Sequence, residues 1–215
     1  MLQFANLKIQ KLRGKKLKLT NIMITTEQIK ELREKTGISI MQCKKALEEV
    51  EGDMDKAVII LSKQSAKIAE KKSDRTLGAG IIQSYIHAGG SAGAMVELLC
   101  ETDFVAKNEE FKALAYDLAM QVTATAPEFL KKDDISDEDK VKAEEVFKKE
   151  VEDKPVDLQK KILEGKIDAH FKDKILLEQA FIKDSNQSVN NLIESAIQKF
   201  GEKIEVGRFV RLSLN

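Results

Sequence analysis

The side chains with catalytic potential form one candidate group, His87, Cys100 and Asp103. An imidazole, a thiol and a carboxylate can act as base, nucleophile and orienting group when they lie within hydrogen-bond reach. Cys100, however, ends an apolar run, and a thiol in such a strand is expected to be buried and inert. His170 is far from His87 in sequence, and neither has an Hx₃H-type partner. We therefore predict no catalytic residue and no metal ligand.

The glycine-rich positions do not predict a nucleotide cofactor. The pair Gly78 and Gly80 lacks the third glycine of a dinucleotide-binding loop, because Gln83 stands in its place, and no GK[ST] follows any glycine pair. Residues 88–93 are better explained as the turn of a hairpin that joins two apolar runs. No cofactor is expected.

The stretch Cys100–Asn108 lies between two well-defined elements. The run 95–99 predicts a buried strand, and the apolar spacing from Phe111 onward, at i, i+3, i+4, i+7, i+8 and i+11, predicts an amphipathic helix. Residues 102–105 therefore form a corner between a strand and a helix. Phe104 at this corner has two interpretations: it packs in the core beside Phe111, seven residues later, or it projects toward another protein.

The remaining elements predict an α+β protein. Capping residues divide 25–72 into three short helices, a pattern that resembles the ubiquitin-associated fold. A regular amphipathic helix spans 189–200 after a turn at 184–188. The alternation from Ile204 through Val210 to Leu212 predicts a last strand with one apolar face. We predict a three-helix module at 23–76, followed at 77–215 by a three-stranded antiparallel sheet packed with helices.

Composition limits the choice of partners and compartment. The 36 basic and 36 acidic residues balance, so nothing global indicates nucleic acid or a membrane, and no apolar run approaches the ~18 residues of a membrane span. Two distant cysteines, Cys43 and Cys100, indicate a reduced compartment, and the cytoplasm is expected. Residues 1–22 are basic and lack acids, which leaves an organellar transit peptide or an RNA-binding arm as alternatives.

Three ordered motifs resemble the elongation factor Ts family, the nucleotide exchange factors of the GTPase elongation factor Tu. They are Cys100–Asn108, Leu32–Gly37 with Met41–Leu47, and Gly201–Phe209. The resemblance runs from about Met23 to the end. Family members begin close to the helix that starts near Thr26, so residues 1–22 are expected to be a dispensable extension, disordered or not native, with Met23 as the natural start.

The resemblance implies a mechanism without chemistry of its own. Thr102, Asp103, Phe104 and Val105 would intrude into elongation factor Tu bound to GDP, dislodge its Mg²⁺ and so promote GDP release. By the same resemblance, Arg33, Ile40 and Met41 would make secondary contacts with the GTPase. A chain of this length resembles the short family members, which pair as homodimers, and the sheet is the expected interface. The chain is therefore expected to be an exchange factor and not an enzyme.

Two functions of other classes remain open at this point. The first module could serve a protein-binding adaptor of the ubiquitin-associated type with no exchange activity. Alternatively, the basic residues 1–22 could bind RNA, with an affinity that falls steeply as salt rises. Neither alternative accounts for all three motifs.

Overall fold

The chain folds into an α+β structure, which a computed structural model describes for residues 24–151 and 155–214. The helices in these ranges are α1 (Thr26–Thr36), α2 (Ile40–Glu49), α3 (Met54–Glu70), α4 (Asp103–Ala106), α5 (Glu109–Thr125), α6 (Asp137–Val151), α7 (Val156–Lys172) and α8 (Val189–Phe200). The strands are β1 (Ala79–Ile86), β2 (Ala92–Cys100), β3 (Ala180–Phe181), β4 (Asp184–Ser188) and β5 (Ile204–Ser213). The predicted fold class is confirmed. The basic segment 1–22 lies outside the described residues, and none of the helices described is long and apolar enough to cross a lipid bilayer.

Helices α1 to α3 begin and end where their capping residues predict. Thr25 forms both halves of a capping box with Gln28, and α1 ends at Gly37, whose φ of 67° is left-handed. The side chains of Ser39 and Asp53 cap α2 and α3. The three helices enclose a small apolar core, whose buried members are Ile29, Leu32, Ile38, Ala46, Leu47, Ala57, Leu61 and, as predicted, Cys43.

Strands β1, β2 and β5 form an antiparallel sheet in that order. Its inner face packs against α5 and α8, and the main core consists of inward residues of the sheet and the apolar stripes of these helices. Side chains on the other face of the hairpin remain exposed, among them Ile82, Ile86 and Met95. The described helices thus cover one face of this sheet and leave an apolar face open.

The last strand departs from the alternation that the sequence predicts. Its pairing with β2 skips Gly207, which is the extra residue of a β-bulge. A methyl group on Gly207 would lie 2.6 Å from Oε2 of Glu97, so a larger residue here would require the Glu97 side chain to move. The bulge shifts the strand by one residue: Val206 before it is buried, whereas Val210 and Leu212 after it are exposed on the open face. The expectation of one apolar face along the whole strand is therefore wrong.

Two smaller units complete the fold. Helices α6 and α7 pack side by side, and the ion pair of Lys166 with Glu150 joins them. A separate cluster beneath them contains Ile135, Ala143, Phe171 and Ile175. The segment Asp184–Ser188, expected to be a turn, instead forms β4, because its backbone pairs with β3.

Candidate functional site

The candidate catalytic group does not assemble. His87 donates its backbone N–H to the carbonyl of Ala92, at the turn end of the hairpin. Cys100 lies eight residues after Ala92 on β2. At a rise of roughly 3.3 Å per residue, His87 and Cys100 are therefore about 26 Å apart. Cys100 is fully buried, and burial, followed by the nearby Glu202 carboxylate, raises the pKa of its thiol. The prediction of a buried cysteine is confirmed, and a raised pKa lowers the fraction of reactive thiolate.

Residues 102–105, which we call the corner, do join strand to helix. Thr102 caps the one-turn helix α4, since its hydroxyl accepts a hydrogen bond from the N–H of Val105. Val105 is 4% exposed and Ala106 is also buried, so the corner is anchored in the core. Phe104 points away from the core and is 83% exposed. The corner therefore has a fixed inner side and a projecting aromatic ring.

The exposure of Phe104 decides between the two interpretations of this residue. Phe111, its suggested neighbour in the core, is fully buried and packs edge-on against Phe200, with the ring centroids 5.9 Å apart. The core interpretation of Phe104 is therefore wrong. Hydrophobic stabilisation scales with the apolar area removed from water, so a ring this exposed contributes little to folding.

Two carboxylates, one on each side, join the corner to the turn between α8 and β5. Glu202 accepts hydrogen bonds from the backbone N–H groups of Glu101, at 3.1 Å, and Thr102, at 3.0 Å, and from the hydroxyl of Thr102, at 2.6 Å. In the opposite direction, Glu101 accepts from the N–H of Lys203 and from Arg75. The hydrogen bond from Lys203, followed by Arg75, holds the pKa of the Glu101 carboxyl below its usual value. Each side of this crossing thus supplies an acceptor to the other.

The predicted secondary contacts lie on the first two helices. The side chains of Arg33, Ile40 and Met41 are all exposed, with Ile40 at 51% and Met41 at 78%. Ile40 and Met41 are the first residues of α2, directly after the cap Ser39. The buried residues of α2, Cys43, Ala46 and Leu47, all follow its first turn, and the two apolar side chains at its start are presented to solvent.

A contact through α8 links these residues to the region of the corner. Lys199 of α8 pairs with Glu110, the second residue of α5, at 2.8 Å. A methyl group on Gly37, at the turn between α1 and α2, would lie 3.8 Å from Nζ of Lys199. The turn between α1 and α2 and the start of α5 therefore both lie beside the same lysine.

Comparison with known proteins assigns the chain that carries this site to a family. The family model described as Elongation factor TS matches residues 25–215. The chain belongs to the elongation factor Ts family. Elongation factor Ts of Thermotoga petrophila is 47% identical over 191 residues, which cover 89% of this chain and 96% of that protein. The corresponding protein of Desulforamulus reducens is 46% identical over 193 residues, 89% of each chain. The resemblance predicted from three motifs is confirmed, and the chain is a translation elongation factor.

The carboxylates that hold the corner, Glu101 and Glu202, are not among the site residues that the sequence predicts. Glu202 lies within the quoted motif Gly201–Phe209, but no role was predicted for it. A single sequence gives no sign that a side chain at position 202 reaches the backbone of Thr102, 100 residues earlier. The only local signal is its place directly after Gly201, which ends α8 with a φ of 74°.

Proposed function

We propose that this chain is a guanine nucleotide exchange factor, which binds elongation factor Tu carrying GDP and promotes release of that GDP. The exposure of Phe104, at 83% on an otherwise anchored corner, is the observation that carries the proposal. Membership of the elongation factor Ts family supports it. The reacting system lies in the partner, and this chain acts by binding, without chemistry or a cofactor of its own and not as an enzyme.

A projecting ring on a fixed backbone is suited to enter a pocket of a partner. Binding loses free energy whenever a loop or side chain must be ordered on contact, so a backbone that is already held reduces this cost. Thr102 and the buried Val105 supply that support on either side of Asp103 and Phe104. Aromatic residues that become buried at interfaces are typical hot spots, and truncating one costs ~2 kcal/mol or more, roughly thirtyfold in affinity.

The proposed mechanism follows from the coordination of Mg²⁺ in the partner. A GTPase holds the phosphates of GDP through a loop and a Mg²⁺ that requires near-octahedral oxygen geometry. Insertion of Phe104 beside this site displaces the elements that carry the Mg²⁺ ligands, and a small displacement suffices because the ion tolerates distortion poorly. Once Mg²⁺ leaves, the phosphates lose their countercharge and GDP dissociates faster.

Thermodynamic linkage completes the cycle. The factor by which this chain weakens nucleotide binding must equal the factor by which nucleotide weakens binding of this chain. Incoming GTP therefore displaces the exchange factor and frees the GTPase for another round. We place this cycle in the cytoplasm, where translation elongation takes place.

The first module supplies the second part of the proposed contact. We assign the contact with the nucleotide domain of elongation factor Tu to residues 23–76, through Arg33, Ile40 and Met41, whose side chains are exposed. Residues 77–215 then carry the corner and the sheet. Two separate contacts on one chain restrict how the GTPase can be oriented when Phe104 meets its pocket.

We further propose that the open face of the sheet pairs two copies of the chain. Exposed apolar side chains lie side by side there: Ile82 and Ile86 on β1, Met95 on β2, and Val210 and Leu212 on β5. When this face packs against the same face of a second copy, both apolar surfaces are removed from water. A two-fold symmetric dimer uses the same surface on both subunits, as this arrangement does. The ion pair of Arg208 with Glu97 closes one end of this face with polar groups.

The test of the proposed function is release of a fluorescent GDP from elongation factor Tu, with unlabelled GDP in excess. The native chain should accelerate release, Phe104→Ala should lose most of the acceleration, and Val141→Ala, an exposed apolar residue on α6, should retain it. Acceleration that survives in Phe104→Ala would move the site elsewhere. No acceleration by the native chain would refute the exchange function and favour the adaptor.

A further inference from the structure

We infer that Glu202 is a positioning residue for the corner: its carboxylate sets the direction in which Phe104 projects. This inference rests on the proposed exchange function, because it assigns a role to Glu202 in the same site. Glu202 is only partly exposed, and its two oxygens accept three hydrogen bonds from Glu101 and Thr102. Ionised acceptors form shorter and stronger hydrogen bonds than neutral ones.

The place of Glu202 explains why the chain needs it. Pairing of β2 with β5 ends at Cys100 and Ile204. The next two N–H groups of the chain, on Glu101 and Thr102, lie beyond this ladder, and a donor without an acceptor is costly as soon as it leaves water. The left-handed turn at Gly201 brings the side chain of Glu202 back to these donors. The carboxylate thus supplies the hydrogen-bond acceptors that a neighbouring strand would otherwise provide for these two N–H groups.

The hydroxyl of Thr102 transmits this contact into α4. It donates its hydrogen to Glu202 at 2.6 Å and accepts a longer hydrogen bond, at 3.5 Å, from the N–H of Val105. Because the hydrogen is committed to the carboxylate, a lone pair of the hydroxyl is directed toward Val105. The backbone between these two residues carries Asp103 and Phe104. Loss of the carboxylate would release the cap and let the short helix sample other directions.

The surrounding structure allows this role to be separated from folding. The crossing contacts of Glu101 with Lys203 and Arg75 do not involve the Glu202 side chain, and Val105 remains buried. Substitution of Glu202 should therefore loosen the corner without unfolding the protein. The matched control is Glu205→Gln, since Glu205 lies three residues later, on β5, is exposed and pairs only with Lys203 among the ion pairs described.

The first experiment measures the free protein by amide hydrogen exchange resolved for single residues. Glu202→Gln keeps the shape but removes the negative charge and replaces one of the two acceptor oxygens with an NH₂ group, so that three donors compete for one neutral oxygen. We expect the amide of Thr102 to exchange about tenfold faster in this variant, because a hydrogen bond to a carboxylate is roughly twice as strong as one to a neutral oxygen. Glu205→Gln should leave it unchanged. Unchanged exchange at Thr102 in a folded Glu202→Gln protein would overturn the inference.

The second experiment is a double-mutant cycle of Glu202→Gln with Phe104→Ala, read by GDP release from elongation factor Tu. If Glu202 acts through Phe104, its substitution slows release about tenfold in the native background and has little further effect once the ring is gone. Additive effects of the two substitutions would overturn the inference, because a direct contact or general destabilisation adds. If the native chain gives no acceleration, the proposed function fails, and the amide exchange alone decides whether Glu202 positions the corner.

Discussion

Alanine substitutions at the neighbouring residues Phe104 and Val105 should separate binding from folding. The two residues are adjacent in one motif, but Phe104 is 83% exposed and Val105 only 4%. The exposed ring of Phe104 can contribute to the free energy of binding a partner, whereas the buried side chain of Val105 contributes to the stability of the core. We therefore expect opposite effects of the two substitutions in two assays.

The magnitudes follow from the burial of each side chain. Val105→Ala removes two nearly buried methyl groups, each worth ~0.8 kcal/mol, and leaves a small cavity, for a loss of about 2 kcal/mol in the free energy of unfolding. In a protein of this size that lowers Tm by roughly 4–8 °C. Phe104→Ala should change the free energy of unfolding by less than about 0.5 kcal/mol, as exposed substitutions do. Its affinity for elongation factor Tu should fall roughly thirtyfold.

The assays are urea unfolding of the free protein and the concentration dependence of GDP release. Val105→Ala, measured well below its Tm, should retain release within about threefold of native, because the cap and the ring are unchanged. Phe104→Ala should need far more protein for the same rate. A Phe104→Ala protein that is destabilised by about 2 kcal/mol, or a Val105→Ala protein that is as stable as native, would refute the placement of Phe104 on the surface and Val105 in the core.

Three further predictions concern other parts of the chain. Val210→Asp should convert the proposed dimer to a monomer, as measured by light scattering, whereas Val141→Asp should not, because Val210 lies on the open face of the sheet and Val141 lies on α6; a native monomer would contradict the dimer. Folding lowers the pKa of the Glu101 carboxyl. The contribution of this carboxylate to the free energy of unfolding is therefore complete above its unfolded pKa of about 4.3, and it is lost as pH falls through the pKa of the folded state. The difference in unfolding free energy between native and Glu101→Gln should therefore shrink from pH 6 to pH 3, and a constant difference would contradict it. Deletion of residues 1–22 should leave GDP release within twofold of native; loss of activity would give this segment a role in the contact.

Local rules accounted for most of the elements before the structure was known. The side chains of Thr25, Ser39 and Asp53 cap helices because they satisfy backbone N–H groups a few residues away. Gly37 and Gly201 end helices because glycine adopts the left-handed conformation without strain. Interactions of this kind lie within one turn of chain, so residue type and spacing are enough to predict them. The family motifs likewise placed the candidate corner at residues 102–105.

Contacts between distant segments decided what the local pattern left open. Whether Phe104 turned inward or outward depended on the space beside Phe111, which Phe200 fills. The bulge at Gly207 reversed the faces of β5, because one extra residue moves every later side chain to the opposite side. The support of Thr102 by Glu202 joins residues 100 positions apart. The sequence by itself determined the elements and the family, whereas the direction of the exposed ring and the open apolar face depended on packing and pairing between segments that no local spacing records.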